Sequence, residues 1–219
     1  MAHCQPEEMD GVSIYSRAAI GIFGTVIDMK PTILACTTVY SGYLTVDALQ
    51  VRLSDGSIVS REVERHGDAA AVLPYDRERC CALVVRLFRA PVFQEAGLEA
   101  IEEACAGMIS EAGQDAEATA RREAYEELGV RLASMDLVSR VWSSPGVSSE
   151  RISLFLARYV SADRIASGGG IRGEHEGITV VERSLPILAT AADQGRIEDS
   201  KLLSLVLALR LRHPELFAP

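Results

Sequence analysis

Residues 104–130 read ACAGMISEAGQDAEATARREAYEELGV: an apolar strand end, a turn at Gly107, and a helix with Glu123, Glu126 and Glu127 in its last turns. At about 100° per residue, Ala116, Ala120, Ala124 and Leu128 form one apolar stripe, with Glu127 roughly 40° from its centre and Glu123 roughly 80°. Arg122 and Glu126 share the opposite face at i and i+4, where a solvated ion pair belongs. Gly129 then ends the helix as its C′ residue.

Glutamates at i and i+4 repel, which costs an isolated helix roughly 0.2–0.5 kcal/mol. They also sit at the negative end of the helix dipole, where cations are preferred. A bound divalent cation reverses both penalties, so Glu123 and Glu127 beside an alanine stripe point to a metal site. The competing reading is a charged surface helix.

The run Arg122-Glu123-Ala124-Tyr125-Glu126-Glu127-Leu128-Gly129-Val130 resembles the second half of the Nudix hydrolase box. The first half departs from it: the family's first Glu falls on Gln114, and Gly107 lies one residue too far back. Glu111, Asp115 and Glu117 are the carboxylates near enough to substitute. The resemblance implies an α/β fold, the Nudix α/β/α sandwich on a mixed sheet. It also implies Mg2+, with Mn2+ as a second choice, on Glu123 and Glu127. In the ADP-ribose and GDP-mannose pyrophosphatase branch a further ligand is a backbone carbonyl, here that of Ala106.

The surrounding composition fits a globular chain of 219 residues, 48% apolar, 24% charged and 5% aromatic. A net charge of −9 argues against a nucleic-acid polymer or an anionic membrane as partner, while a small diphosphate still fits a locally positive pocket. Cys4, Cys36, Cys80, Cys81 and Cys105 form no CxxC pair and are odd in number, which favours a reducing, cytoplasmic setting. No apolar run reaches membrane-spanning length, and MAHCQPEEMDG lacks the pattern of a signal peptide. The expected organisation is a flexible tail over 1–12, an N-terminal β-rich subdomain over 13–68 and a Nudix domain over 69–219.

Upstream, residues 12–40 read as one or two strands plus a connection. Strands at 43–53 and 58–63 join through Ser54-Asp55-Gly56-Ser57, a hairpin signal. Strands at 69–73 and 80–88 flank PYDRER as a turn. The segments SREVERHGDAAAVLPYD and ALVVRLFRAPVF resemble the N-terminal half of the same branch, where this part forms a swapped homodimer interface and its arginines reach the nucleotide. That resemblance makes Arg61 and Arg89 substrate candidates, and Glu103 in EACAG another, with Glu102 as its close competitor. Cys105 reads as a packing thiol.

Downstream, 137–142 and 152–160 alternate as strands around the polar turn SSPGVSSE, where Glu150 matches a substrate-contacting carboxylate. The Gly168-Gly169-Gly170 run reads as a mobile loop and matches no P-loop. Glu174 and Glu176, before the strand at 178–182, stand where the branch holds a catalytic or metal-binding carboxylate, with Glu176 the better aligned. Ser184 with Pro186 starts one helix and Asp199 or Ser200 another, whose apolar face is Leu202, Leu203, Val206 and Leu209, widened by Leu205 and Leu207. Lys201 in GRIEDSK matches a substrate-reaching lysine. Together these imply Mg-dependent hydrolysis of a nucleoside diphosphate sugar, of GDP-mannose or ADP-ribose type, to a nucleoside monophosphate and a sugar phosphate. The altered box leaves a Nudix-fold protein that binds such a nucleotide sugar without cleaving it as the alternative.

Overall fold

A computed structural model describes residues 30–109, 115–170 and 177–218. Glu174 and Glu176, the expected catalytic carboxylates, lie outside the described residues, as do Glu111, Gln114 and the expected tail.

The N-terminal part is an antiparallel sheet of β1 (Thr32–Ser41), β2 (Thr45–Arg52) and β3 (Ile58–Arg65). The hairpin between β2 and β3 closes as its residues require: Gly56 takes φ 85°, and the Asp55 carboxylate accepts from the Ser57 N–H at 2.9 Å. Every residue of β1 is exposed. This sheet meets the rest of the chain through the SSPGVSSE turn, where the Glu64 N–H donates to the Val147 carbonyl at 2.8 Å and the Ser149 N–H to the Glu64 carbonyl at 3.0 Å.

The second sheet is mixed. Its path runs β10 (Thr179–Ser184), β5 (Cys81–Leu87), β4 (Ala69–Asp76), β9 (Arg151–Arg158), β8 (Asp136–Trp142). β6 (Ile101–Glu103) pairs with β5 and β7 (Cys105–Met108) with β4. All of β4 is buried, because both of its faces are covered. Ala69, Ala71, Leu73 and Tyr75 share a core with α3 (Leu185–Asp193) and α4 (Ser200–Arg212). Ala70 and Val72 share the other with Ala120, Ala124 and Leu128 of α2 (Ala116–Leu128). This is the expected α/β/α sandwich. Each fully buried leucine in it, such as Leu205, contributes about 1.5–3 kcal/mol.

Several local expectations need correction. PYDRER is not all turn: Pro74, Tyr75 and Asp76 continue β4. β7 pairs with β4 as far as Val72, and β5 begins pairing at Tyr75. Pro74 pairs with Ala157 of β9 on one side and falls in the gap between β7 and β5 on the other, so that side asks no ladder bond of a residue lacking an N–H. A short helix, α1 (Ala90–Ala96), follows β5 where no helix was expected. In α4 the buried set is Leu202, Leu205, Val206 and Leu209, while Leu207 faces solvent, so the apolar face is narrower than its composition suggests.

Candidate active site

The metal candidates come from β7 and α2. Asp115 caps α2 by accepting from the Glu117 N–H at 3.1 Å. The alanine stripe then packs on the sheet and carries Glu127 inward, leaving it 7% exposed. The Ala106 N–H donates to Glu127 Oε2 at 3.3 Å. Glu123 closes over Gly107: a Cβ at that position would overlap the Glu123 carboxylate and lie 2.6 Å from its Cγ. A larger residue would push the Glu123 side chain off the turn, and that gives Gly107 its role. Arg122 does more than pair with Glu126, since its fork reaches Glu126 Oε2 and Glu123 Oε1, both at 2.6 Å. Burial pushes the Cys105 thiol well above its ordinary pKa, and the neighbouring Glu127 carboxylate pushes it further.

Of the substitutes for the missing box carboxylate, Asp115 serves as the helix cap and Glu117 pairs with Arg121 at 2.6 Å on the surface.

The glycine run ends up tied to the end of this helix instead of forming a loose loop. The Gly169 N–H donates to the Glu127 carbonyl at 2.8 Å and the Gly170 N–H to the Glu126 carbonyl at 3.1 Å. These carbonyls are among those an α-helix leaves without an internal partner. Gly168, Gly169 and Gly170 hold φ of 68°, 102° and 79°, which glycine adopts without penalty. With both amides committed to carbonyls, this run cannot also cradle a phosphate.

A second group lies across the cavity. Arg89 grips Glu103 through two hydrogen bonds of 2.6 and 3.1 Å, and the Lys201 ammonium donates to Glu103 at 3.1 Å and to Asp199 at 2.7 Å. Burial raises the pKa of the Glu103 carboxyl, but the Arg89 hydrogen bond and the Lys201 and Arg89 charges outweigh it, leaving it below its ordinary value. Burial pulls the Lys201 ammonium down, and the charges of Asp199 and Glu103 more than reverse this.

One cavity of about 260 Å³ is lined by Arg89, Ala106, Gly107, Glu127, Glu150 and Lys201, together with Tyr43 and His66. The structure thus gathers Ala106, Glu127, Arg89, Glu150 and Lys201 in one place, with Glu103 and Glu123 bonded or packed to the lining. Arg61 is the exception: it is exposed on β3, donates to the Ser60 carbonyl and does not line this cavity. Tyr43 and His66 went unnoticed in the sequence. His66 stands just before β4, and the Tyr43 hydroxyl reaches Met108 of β7 at 3.5 Å, a tertiary contact with no local signal.

The residues fit a divalent cation. Carboxylates and a backbone carbonyl are the hard oxygen donors that Mg2+ prefers. In the antiparallel register with Ala71, the Ala106 N–H leaves the ladder toward Glu127, and a residue's carbonyl leaves a strand on the same side as its N–H.

Residues 65–203 match the NUDIX domain. Similar curated proteins include the GDP-mannose pyrophosphatase of Cronobacter sakazakii, 37% identical over 161 residues covering 72% of this chain and 82% of that protein. The GDP-mannose pyrophosphatase of Pectobacterium atrosepticum is 33% identical over 161 residues, covering 71% and 80%. Among solved structures, an ADP compounds hydrolase superposes with a TM-score of 0.68 at 19% identity, covering 85% of this chain and 96% of that one, a likeness of fold.

Proposed function

Because the chain belongs to the NUDIX family, we propose that it hydrolyses the diphosphate bond of a nucleoside diphosphate sugar, GDP-mannose before ADP-ribose, to a nucleoside monophosphate and a sugar phosphate. The observation that carries this reading is the convergence of Ala106 and Glu127 with the cations Arg89 and Lys201 on one cavity. The preference for GDP-mannose rests on the names of the curated relatives.

A divalent cation, magnesium or manganese, held by Glu123, Glu127 and the Ala106 carbonyl would neutralise the diphosphate and make its phosphorus a better electrophile. The chain's own residues supply the rest. Arg89 and Lys201 face the cavity as fixed positive charge for the phosphate oxygens, each oriented by Glu103. Glu150 lines the same wall and is placed to accept from a sugar or ribose hydroxyl. Removal of the attacking water's proton falls by resemblance to Glu176 or Glu174.

The proposed homodimer is supported by β1, which is exposed along its length and carries Ile33, Val39 and Tyr40. It would also give Arg61 a substrate role, at the partner's site. The proposed cytoplasmic setting is supported by Cys36, Cys80, Cys81 and Cys105, which are free thiols.

The test is release of a nucleoside monophosphate from GDP-mannose and from ADP-ribose with magnesium, for the native chain and Glu127→Gln. The native chain turns over and the variant loses at least about a hundredfold in kcat/KM while keeping its thermal midpoint, because a neutral Gln also relieves the repulsion from Glu123. Binding of nucleotide sugar without turnover by the native chain would select the non-hydrolysing alternative.

A further inference from the structure

Asp199 is 7% exposed and makes four hydrogen bonds. Its Oδ2 accepts from the Ala104 and Leu202 N–H groups, each at 3.0 Å, and its Oδ1 from the Lys201 N–H at 3.3 Å and the Lys201 ammonium at 2.7 Å. The amide bonds cap α4 and pin its start to the residue just before β7, the strand that carries Ala106. A neutral Asn or Ser satisfies helix amides about as well as Asp. One Asn oxygen in place of Oδ2 would keep the Ala104 and Leu202 amides, so the second oxygen and the charge serve Lys201, through its amide and its ammonium.

That lysine is one of two in the chain, with Lys30; every other permanent cation is an arginine. Its compact ammonium bridges two carboxylates, Asp199 and Glu103, while Glu103 also holds Arg89. The result is a chain of alternating charge, Arg89, Glu103, Lys201, Asp199, whose two cations face the cavity. A planar guanidinium fork does not replace a point charge in such a bridge. The carboxylates also keep the ammonium protonated against its own burial.

We infer that Asp199 is a positioning residue: its carboxylate holds the Lys201 ammonium at the cavity wall, ready for the phosphate oxygens of the substrate. The substrate clause rests on the proposed function; the hold on Lys201 does not. Asp199 touches no substrate and acts through Lys201.

The experiment compares the native chain, Asp199→Asn, Asp199→Ser, Lys201→Ala and the double variant Asp199→Asn with Lys201→Ala. Acetylation of Lys201 by a water-soluble acylating reagent is followed by peptide mass spectrometry, with Lys30 as the internal reference. Loss of the carboxylate frees the amine and removes one of the two charges that raise its pKa, so both Asp199 variants accelerate Lys201 labelling about tenfold relative to Lys30. A merely structural role would leave that ratio unchanged in folded protein. With GDP-mannose and magnesium, Asp199→Asn raises KM about tenfold with kcat within about threefold, and the double variant is no worse than Lys201→Ala. An unchanged labelling ratio, or additive losses in the double variant, overturns the assignment. Absence of hydrolysis by the native chain counts against the proposed function alone, because the labelling ratio still decides on Asp199.

Discussion

Replacing Gly168 by Ala tests whether the glycine run holds the end of the metal helix. Gly168 and Gly97 both sit in the left-handed region, at φ 68° and 69°. They differ in what a methyl group would meet. At Gly97 there is nothing within 4 Å. At Gly168 the new Cβ would overlap the Glu127 carbonyl oxygen and lie 2.8 Å from the Leu128 carbonyl carbon and 2.9 Å from the Glu127 one. Those atoms are helix backbone and cannot swing aside as a side chain would.

Gly97→Ala therefore isolates the cost of the left-handed conformation, about 1–2 kcal/mol. Gly168→Ala adds displacement of the loop, with loss of the Gly169 and Gly170 amide bonds to Glu127 and Glu126 at about 0.5–1.5 kcal/mol each. The sum is about 2–5 kcal/mol, so the variants differ by about 1–3 kcal/mol. Urea denaturation at neutral pH measures both, with an unchanged slope confirming that stability alone has moved. Because the displaced bond is to the carbonyl of Glu127 itself, Gly168→Ala also lowers hydrolysis more than its loss of stability explains, while Gly97→Ala does not. Equal losses of stability in the two variants, within about 0.5 kcal/mol, would refute the capping role.

Two further outcomes follow from buried ionisable groups. The folded pKa of Glu103 is below its ordinary 4.5, so its contribution to stability is present above pH 4.5 and is lost as pH falls through the folded value. The stability difference between the native chain and Glu103→Gln, read from urea melts, accordingly shrinks between neutral pH and about pH 3; a constant difference would sink the ion-pair account. Cys105 is fully buried with its thiol pKa raised, whereas Cys36 is exposed. Under native conditions iodoacetamide leaves Cys105 unmodified until the protein is denatured, and early labelling of Cys105 would contradict its packing beneath Glu127.

The legibility of this chain follows the range of the interaction that sets each feature. Helix α2, its end at Gly129 and the inward turn of Glu127 were readable because each depends on neighbours within a turn or so. The β2–β3 hairpin was readable for the same reason, its Asp55-Gly56 pair carrying the turn by itself. Pro74 misled because its tolerance depends on where β7 stops and β5 starts, which is a matter of sheet registry. The glycine run misled by composition: three glycines signal freedom in isolation, yet here the same conformations let two amides reach carbonyls some forty residues away along the chain.

Asp199 shows the limit most clearly. As a helix start it was legible, since an acidic cap before an apolar run has a local reason to be there. Its second task depends on Ala104 and Glu103, which the fold brings from the other side of α2. A cap could equally be Ser or Asn, so the choice of a carboxylate next to Lys201, in a chain whose other cations are almost all arginines, was the available hint that the position answers to a charge as well as to a helix.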